Sequence, residues 1–154
     1  MKLSDLLNEN AICTSLESTG KEQVIEELVR LLERAHGIKS GGEILDRVVE
    51  REAMMSTGIG NGVAIPHGKA RCIHSLFAAC GVAPKGLDFQ SVDGEPVNLF
   101  ILLVSPEEFR GPHVRTLANI SRLLKEEETR EGLKTCASPR EFLEILKQAE
   151  ATLL

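Results

Sequence analysis

The residues best equipped for chemistry lie between Arg51 and Lys69, in the run REAMMSTGIGNGVAIPHGK. His67 follows a short apolar stretch, Val63-Ala64-Ile65, and a proline. A neutral imidazole is a good nucleophile near pH 7, because its ordinary pKa is about 6.5. With one ring nitrogen bonded to the backbone, the other is presented outward in a fixed tautomer. Such a nitrogen can accept a phosphoryl group where positive charge and hydrogen-bond donors receive the phosphate oxygens. Arg51 can supply a bidentate fork, and Ser56, Thr57 and the amide of Gly58 can supply neutral donors. Gly58, Gly60, Gly62 and Gly68 let a loop turn several N–H groups toward one anion. His113 follows Gly111-Pro112 at the expected start of a helix, where free N–H groups and the dipole favour an anion. Three separated pieces of chain could thus meet at one phosphate.

Two nucleotide-binding motifs fail on spacing. Gly58-Ile59-Gly60-Asn61-Gly62 does not complete G-x-G-x-x-G, and a strand pattern rather than a helix follows it. A Walker loop needs four residues between its glycines and then Lys-Ser/Thr; Ala70 follows Lys69 here. His67, Cys72 and His74 are close in sequence, but their spacing matches no zinc pattern. A metal-dependent hydrolase built on His67 and His113 is the distant alternative. Plainer readings stand beside each candidate. His67 could be a turn histidine, Arg51 a helix-end residue facing the carbonyl dipole, and His113 an ordinary residue of a first helical turn. His36 reads as a helix C-terminal cation and His74 as a surface or strand-entry residue.

The elements that must position these residues are legible in outline. Leu3 to Leu7 suggest a helical turn capped by Ser4, and Ile12, Thr14 and Leu16 alternate as in a half-buried strand. Val24, Ile25, Leu28, Leu31, Leu32 and Ala35 share one face of a helix that starts at Ser18 or Thr19 and stops at Gly37. A second helix, Gly42 to Arg51, carries Ile44, Leu45, Val48 and Val49. Ser56 to Gly62 reads as loop, Val63 to Ile65 as a short strand, and Leu76 to Val82 and Val97 to Val104 as longer ones. Asp93-Gly94 marks a turn within Lys85 to Pro96. Gly111-Pro112 opens a helix with proline at its first position, Glu127 to Thr135 forms a short one, and Ser138 with Glu141 forms a capping box for the last. The pattern predicts a single α/β domain over residues 1–154, with a mixed sheet flanked by helices on both faces.

Composition narrows the function. A hydrophobic fraction of 42% fits a globular chain, and no apolar run reaches the ~18 residues of a membrane span. The start, Met1 to Asp5, lacks a signal-peptide core, so the expected location is the cytoplasm, with no direct membrane insertion. A net charge of −5 without a basic stretch argues against nucleic acid as a partner. Cys13, Cys72, Cys80 and Cys136 lie far apart and read as reduced, mostly buried thiols. The acidic run Glu126 to Glu128 reads as a solvated helix boundary.

The run STGIGNGVAIPHG, preceded by Arg51-Glu52, resembles the signature of the type 2 EIIA domain of the phosphoenolpyruvate-dependent phosphotransferase system, the fructose/mannitol class that includes the nitrogen-regulatory EIIA proteins. LSDLLNENAI, VDGEPVNLFILLVSP and GPHVRTLANISRLL resemble further segments of that family, so the similarity covers nearly the whole chain. The resemblance implies that His67 accepts the phosphoryl group, that Arg51 stabilises it, and that His113 is a second active-site histidine. It implies a phosphorylated HPr-like carrier as donor, no metal or organic cofactor, and an EIIB cysteine as acceptor in sugar transport. In a regulatory role the phosphorylated protein would instead control a target protein. The length and the GIGNG loop make the chain resemble the nitrogen-regulatory branch, while a free-standing sugar EIIA fits the same features. A protein donor also calls for an apolar docking patch, for which Ile59, Val63 and Ile65 are the nearest candidates.

Overall fold

The most apolar run of the sequence becomes the central strand of a mixed sheet. In the computed structural model, which describes residues 1–154, the strands are β1 (Ile12–Cys13), β2 (Gly58–Gly60), β3 (Val63–Ala64), β4 (His67–Ala70), β5 (Phe77–Leu87) and β6 (Val97–Pro106). The helices are α1 (Lys21–His36), α2 (Glu43–Met54), α3 (Arg110–Leu123), α4 (Glu127–Thr135) and α5 (Pro139–Leu153). Short 3₁₀ turns at Leu3–Leu6 and Glu9–Ala11 precede β1. The strand order is β1-β5-β6-β3-β2, and β4 also pairs with β6. β5 runs antiparallel to β6, whereas β3 and β4 lie parallel to it, one after the other. No helix is long and apolar enough to cross a membrane.

Strand periodicity explains why β6 is apolar on both sides. Phe100, Leu102 and Val104 join the core under α1 and α2, with Val24, Leu28, Leu32, Ile44 and Val48. The alternating Leu99, Ile101 and Leu103 join a second core with Ile120, Leu123, Leu133, Phe142 and Leu146 from α3, α4 and α5. A strand covered on both faces needs a continuous apolar run rather than an alternating one. Helices therefore flank both faces of the mixed sheet, as the sequence predicts.

Several boundaries differ from the sequence expectation. Residues 58–60, expected as loop, form β2 and pair antiparallel with β3. The turn between them holds Asn61 at φ 58° and Gly62 at φ 76°, the left-handed pair that a two-residue hairpin requires. Asn61-Gly62 is the sequence signal for it. β4 is a further strand, because Pro66 interrupts the run after Ile65 and the chain resumes pairing with β6 at His67. The Ile12–Leu16 strand shortens to Ile12–Cys13, and β5 extends to Leu87.

Helix ends shift too. The cap of the first 3₁₀ turn is Lys2, and Ser4 inside it bonds to Glu150. α1 is capped by Gly20, because Ser18 is held by Glu27. α2 continues past Arg51 to Met54. α3 starts at Arg110, which places Pro112 third. At α5 the Ser138 hydroxyl accepts from the Glu141 amide at 3.1 Å, while the Glu141 carboxylate takes the amide of Ala137. Of the cysteines only Cys80 is fully buried; Cys13 and Cys136 are half-buried and Cys72 is exposed. His36 is half-buried with Nε2 2.9 Å from the carbonyl oxygen of Ala78, and His74 lies on the surface.

Candidate functional site

β4 pairs with β6 alone, and α2 and α3 converge beside it to enclose a cavity of about 600 Å³. Three short stretches line it by their own periodicities. Arg47, Glu50, Arg51 and Met54 form one stripe of α2, and Arg110, His113, Val114 and Leu117 form one of α3. Both follow the i, i+3, i+4, i+7 spacing of a helix face. His67, Gly68 and Lys69 of β4 and Glu107 complete the wall. His67 and Lys69, two residues apart on a strand, project to the same side.

Gly68 sets how closely α2 approaches. A Cβ at this position would lie 3.1 Å from the backbone nitrogen of Val48 and 3.2 Å from the carbonyl carbon of Arg47. The bare backbone lets the helix rest on the strand, which brings Arg47 and Arg51 alongside His67.

The two histidines are anchored through the same ring atom. Nδ1 of His67 donates to the Ile65 carbonyl at 2.8 Å, which leaves Nε2 with the lone pair. His113 is 5% exposed, and its Nδ1 lies 2.6 Å from the Ser105 hydroxyl. The ring centroids are 5.3 Å apart, inclined at 57°. Burial depresses the pKa of His67 below its ordinary value, opposed by the Ile65 hydrogen bond and reinforced by Arg51. Burial, then His67 and Lys69, lowers His113 to about 4. Both rings are therefore neutral at pH 7.

These depressed values make stability depend on pH with a definite sign. The unfolded chain takes up these protons near pH 6.5 and the folded chain only at lower pH, so stability is lost as the pH is lowered through that interval. We expect roughly 2–3 kcal/mol from His113 between pH 7 and pH 4. Urea midpoints across this range should fall less steeply for His113→Gln than for the wild type. Parallel slopes would contradict the assignment.

The charges around the cavity are unevenly neutralised. Arg47 pairs with Glu107 at 3.3 Å and Glu50 at 3.9 Å, and Arg71 also holds Glu107 at 3.1 Å. Arg51, Lys69 and Arg110 have no carboxylate within 4.0 Å. Arg51 instead donates from Nη1 to the Met55 carbonyl at 2.9 Å, closing the end of α2 while still lining the cavity. The helix-end reading of this residue thus describes its position. Three cations without carboxylate partners and a neutral imidazole at one opening suit the receipt of a multiply charged anion.

Other expected residues lie elsewhere. Ser56, Thr57 and Gly58 do not line the cavity. The Ser56 hydroxyl donates to the Phe89 carbonyl at 3.3 Å and accepts from the Gly58 amide at 3.1 Å. Thr57 gives both its amide and its hydroxyl to the buried carboxylate of Glu52. Val63 and Ile65 are buried, and the exposed Ile59 is outside the cavity wall. The apolar rim is made instead by Met54, 80% exposed, and Val114, 62% exposed. No group of three or more His, Cys, Asp or Glu side chains is placed to hold a metal ion. Arg47, Lys69, Arg110 and Met54 escaped the sequence reading. Their signal is the spacing from Arg51, His67 and His113, visible only once the two helix faces are known to meet.

Residues 5–149 match the family described as phosphoenolpyruvate-dependent sugar phosphotransferase system, EIIA 2. The chain belongs to this family of phosphocarrier domains. It is 34% identical to the fructose-specific EIIABC component of Bacillus subtilis over 96% of its own length, which is 23% of that protein. It is 31% identical to a nitrogen regulatory protein of Bradyrhizobium diazoefficiens, covering 99% of both chains. The crystal structure of nitrogen regulatory protein IIA-Ntr from Neisseria meningitidis superposes with a TM-score of 0.86 at 31% identity, covering 93% of this chain and 97% of that one.

Proposed function

We propose that Nε2 of His67 accepts a phosphoryl group from a phosphorylated HPr-like carrier in the cytoplasm and holds it as a transferable, regulatory mark. The observation that carries this reading is a neutral His67, tied at Nδ1 to Ile65, beside Arg51, Lys69 and Arg110 without carboxylate partners. The Nε2 lone pair attacks phosphorus in line while the bond to the carrier's leaving atom breaks. Negative charge on the three equatorial oxygens is received by Arg51, Lys69 and Arg110. His113, uncharged, can contribute a neutral donor through its second ring nitrogen. Met54 and Val114 offer apolar contact to the carrier around the opening.

Likeness along almost the full length of a nitrogen regulatory protein supports a regulatory output, in which two added charges beside Met54 and Val114 change what this surface binds. The second reading is delivery to an EIIB cysteine for fructose- or mannitol-type transport, supported by the 34% identity to the fructose component.

The test is transfer from labelled phosphoenolpyruvate through Enzyme I and an HPr-like protein, followed by an acid wash and a chase with EIIB. We expect acid-labile label on this chain. Absence of label, or label that survives acid, would overturn the reading; rapid loss of label to EIIB would favour transport.

A further inference from the structure

Ser105 is fully buried near the end of β6, paired in register with Lys69 of β4. Its hydroxyl has one hydrogen-bond partner, Nδ1 of His113 at 2.6 Å. Two proton arrangements fit that distance. If Nδ1–H donated to the hydroxyl oxygen, the serine O–H would be a buried donor with no acceptor. If the hydroxyl donates to Nδ1, the O–H and the ring lone pair are both satisfied, and only oxygen lone pairs stay unused. An orphaned buried donor is the costlier fault, which selects the second arrangement. Nε2 of His113 has no partner, yet Ser91 Oγ is the only buried side-chain polar atom without one. Nε2 therefore keeps access to the cavity that His113 lines.

We propose that Ser105 is a positioning residue: its hydroxyl donates to Nδ1 of His113 and so fixes the proton on Nε2, where the ring presents an N–H to the phosphoryl oxygens. The two histidines then carry opposite tautomers on one cavity wall. His67, its Nδ1 proton given to a carbonyl, offers a bare Nε2 as nucleophile. His113, its Nδ1 receiving a proton donor, offers Nε2–H to the incoming negative charge. The difference comes entirely from what sits behind each ring, an acceptor for one and a hydroxyl for the other. An unanchored His113 would spend part of its time with a lone pair facing the phosphate oxygens, which repels rather than receives them.

The proposal rests on the phosphoryl-acceptor reading of His67, and its test separates the two. In unphosphorylated, ¹⁵N-histidine-labelled protein, nitrogen chemical shifts at pH 7.5 should show His113 neutral with its proton on Nε2 and His67 with its proton on Nδ1. Ser105→Ala should spread His113 over both tautomers while His67 keeps its own. The same substitution should slow phosphoryl uptake about ten- to a hundredfold, by analogy with the loss seen when hydrogen-bond partners that orient metal-ligating histidines are removed. Ser105→Thr, which retains the hydroxyl, should restore both the single tautomer and the rate. A wild-type His113 protonated on Nδ1 overturns the proposal, as does a Ser105→Ala protein with unchanged tautomer and rate. The wild-type spectrum decides even where a variant folds poorly. If the wild type takes no label from the carrier, the acceptor reading of His67 fails, while the shifts still report on Ser105.

Discussion

His67→Ala protein incubated with labelled phosphoenolpyruvate, Enzyme I and an HPr-like carrier should take up no label at all. His67 supplies the nucleophilic nitrogen of the proposed transfer, so its removal takes away the acceptor and not merely a favourable contact. His113 should not substitute, since under the tautomer proposed above its Nδ1 lone pair is taken by the Ser105 hydroxyl and its Nε2 carries the proton. The variant should remain folded. His67 is half-exposed and its side chain makes one hydrogen bond, to Ile65, so the expected stability change is about 1 kcal/mol. A normal denaturation curve with no label assigns the defect to chemistry. His113→Ala removes one proposed donor and should lower the rate by about a hundredfold while leaving acid-labile label in place. Full labelling of His67→Ala would refute the assignment of the acceptor.

Glu52→Ala should produce the second large effect, on stability first and on transfer as a consequence. Glu52 is 6% exposed, pairs with Lys21 at 3.0 Å, and receives the amide of Thr57 at 2.9 Å together with its hydroxyl. Without the carboxylate, Thr57 keeps a buried amide with no acceptor, and Lys21 keeps a mostly covered ammonium over the Phe89 ring. Breaking such a pair costs about 3–5 kcal/mol when both groups are deeply buried. Lys21 can relax toward solvent, so we expect about 3 kcal/mol here, a fall in Tm of roughly 10 °C for a chain of this size. Glu52→Gln keeps an acceptor for one amide and should lose about half as much. Arg51 is the adjacent residue, and its guanidinium closes the same helix end through Met55. Loosening that end should slow phosphoryl uptake about tenfold at temperatures where the variant is still folded. A stability loss under 1 kcal/mol would show that the carboxylate is not a structural tie.

The parts of this molecule that follow from local pattern were open to reading in the sequence. Val24, Leu28 and Leu32 recur at helical spacing and do face the sheet. Val97 to Val104 is apolar throughout because both of its faces are covered. His67, Arg51 and His113 were singled out by type and neighbourhood, and the fold brings all three to one cavity. Less was legible where a residue's partner lies far along the chain. Thr57 looks like a free hydroxyl in a glycine-rich loop until Glu52 is seen to hold it. Lys69 and Arg110 look like ordinary surface cations, since their meeting depends on α3 returning to β4. Ser105 sits in a run that reads only as buried strand, and its hydroxyl acquires a purpose through a histidine on the next element. The short β2–β3 hairpin was hidden by its glycines, which suggest loop unless Asn61-Gly62 is read as a turn between strands.

The cavity draws its walls from residues spread between Arg47 and Leu117, and the strand bearing His67 pairs only with β6, on the far side of β5 in sequence. Closing such distant segments carries an entropic cost that local helices do not bear, and parallel pairings of this kind form slowly. A nascent chain extended only through β4 therefore already contains the histidine but lacks β6 and α3, which complete the cavity. Under the acceptor role proposed for His67, competence for transfer would arrive only with the completed tertiary structure, and a carrier protein that samples newly made copies would charge the mature ones and pass over the rest.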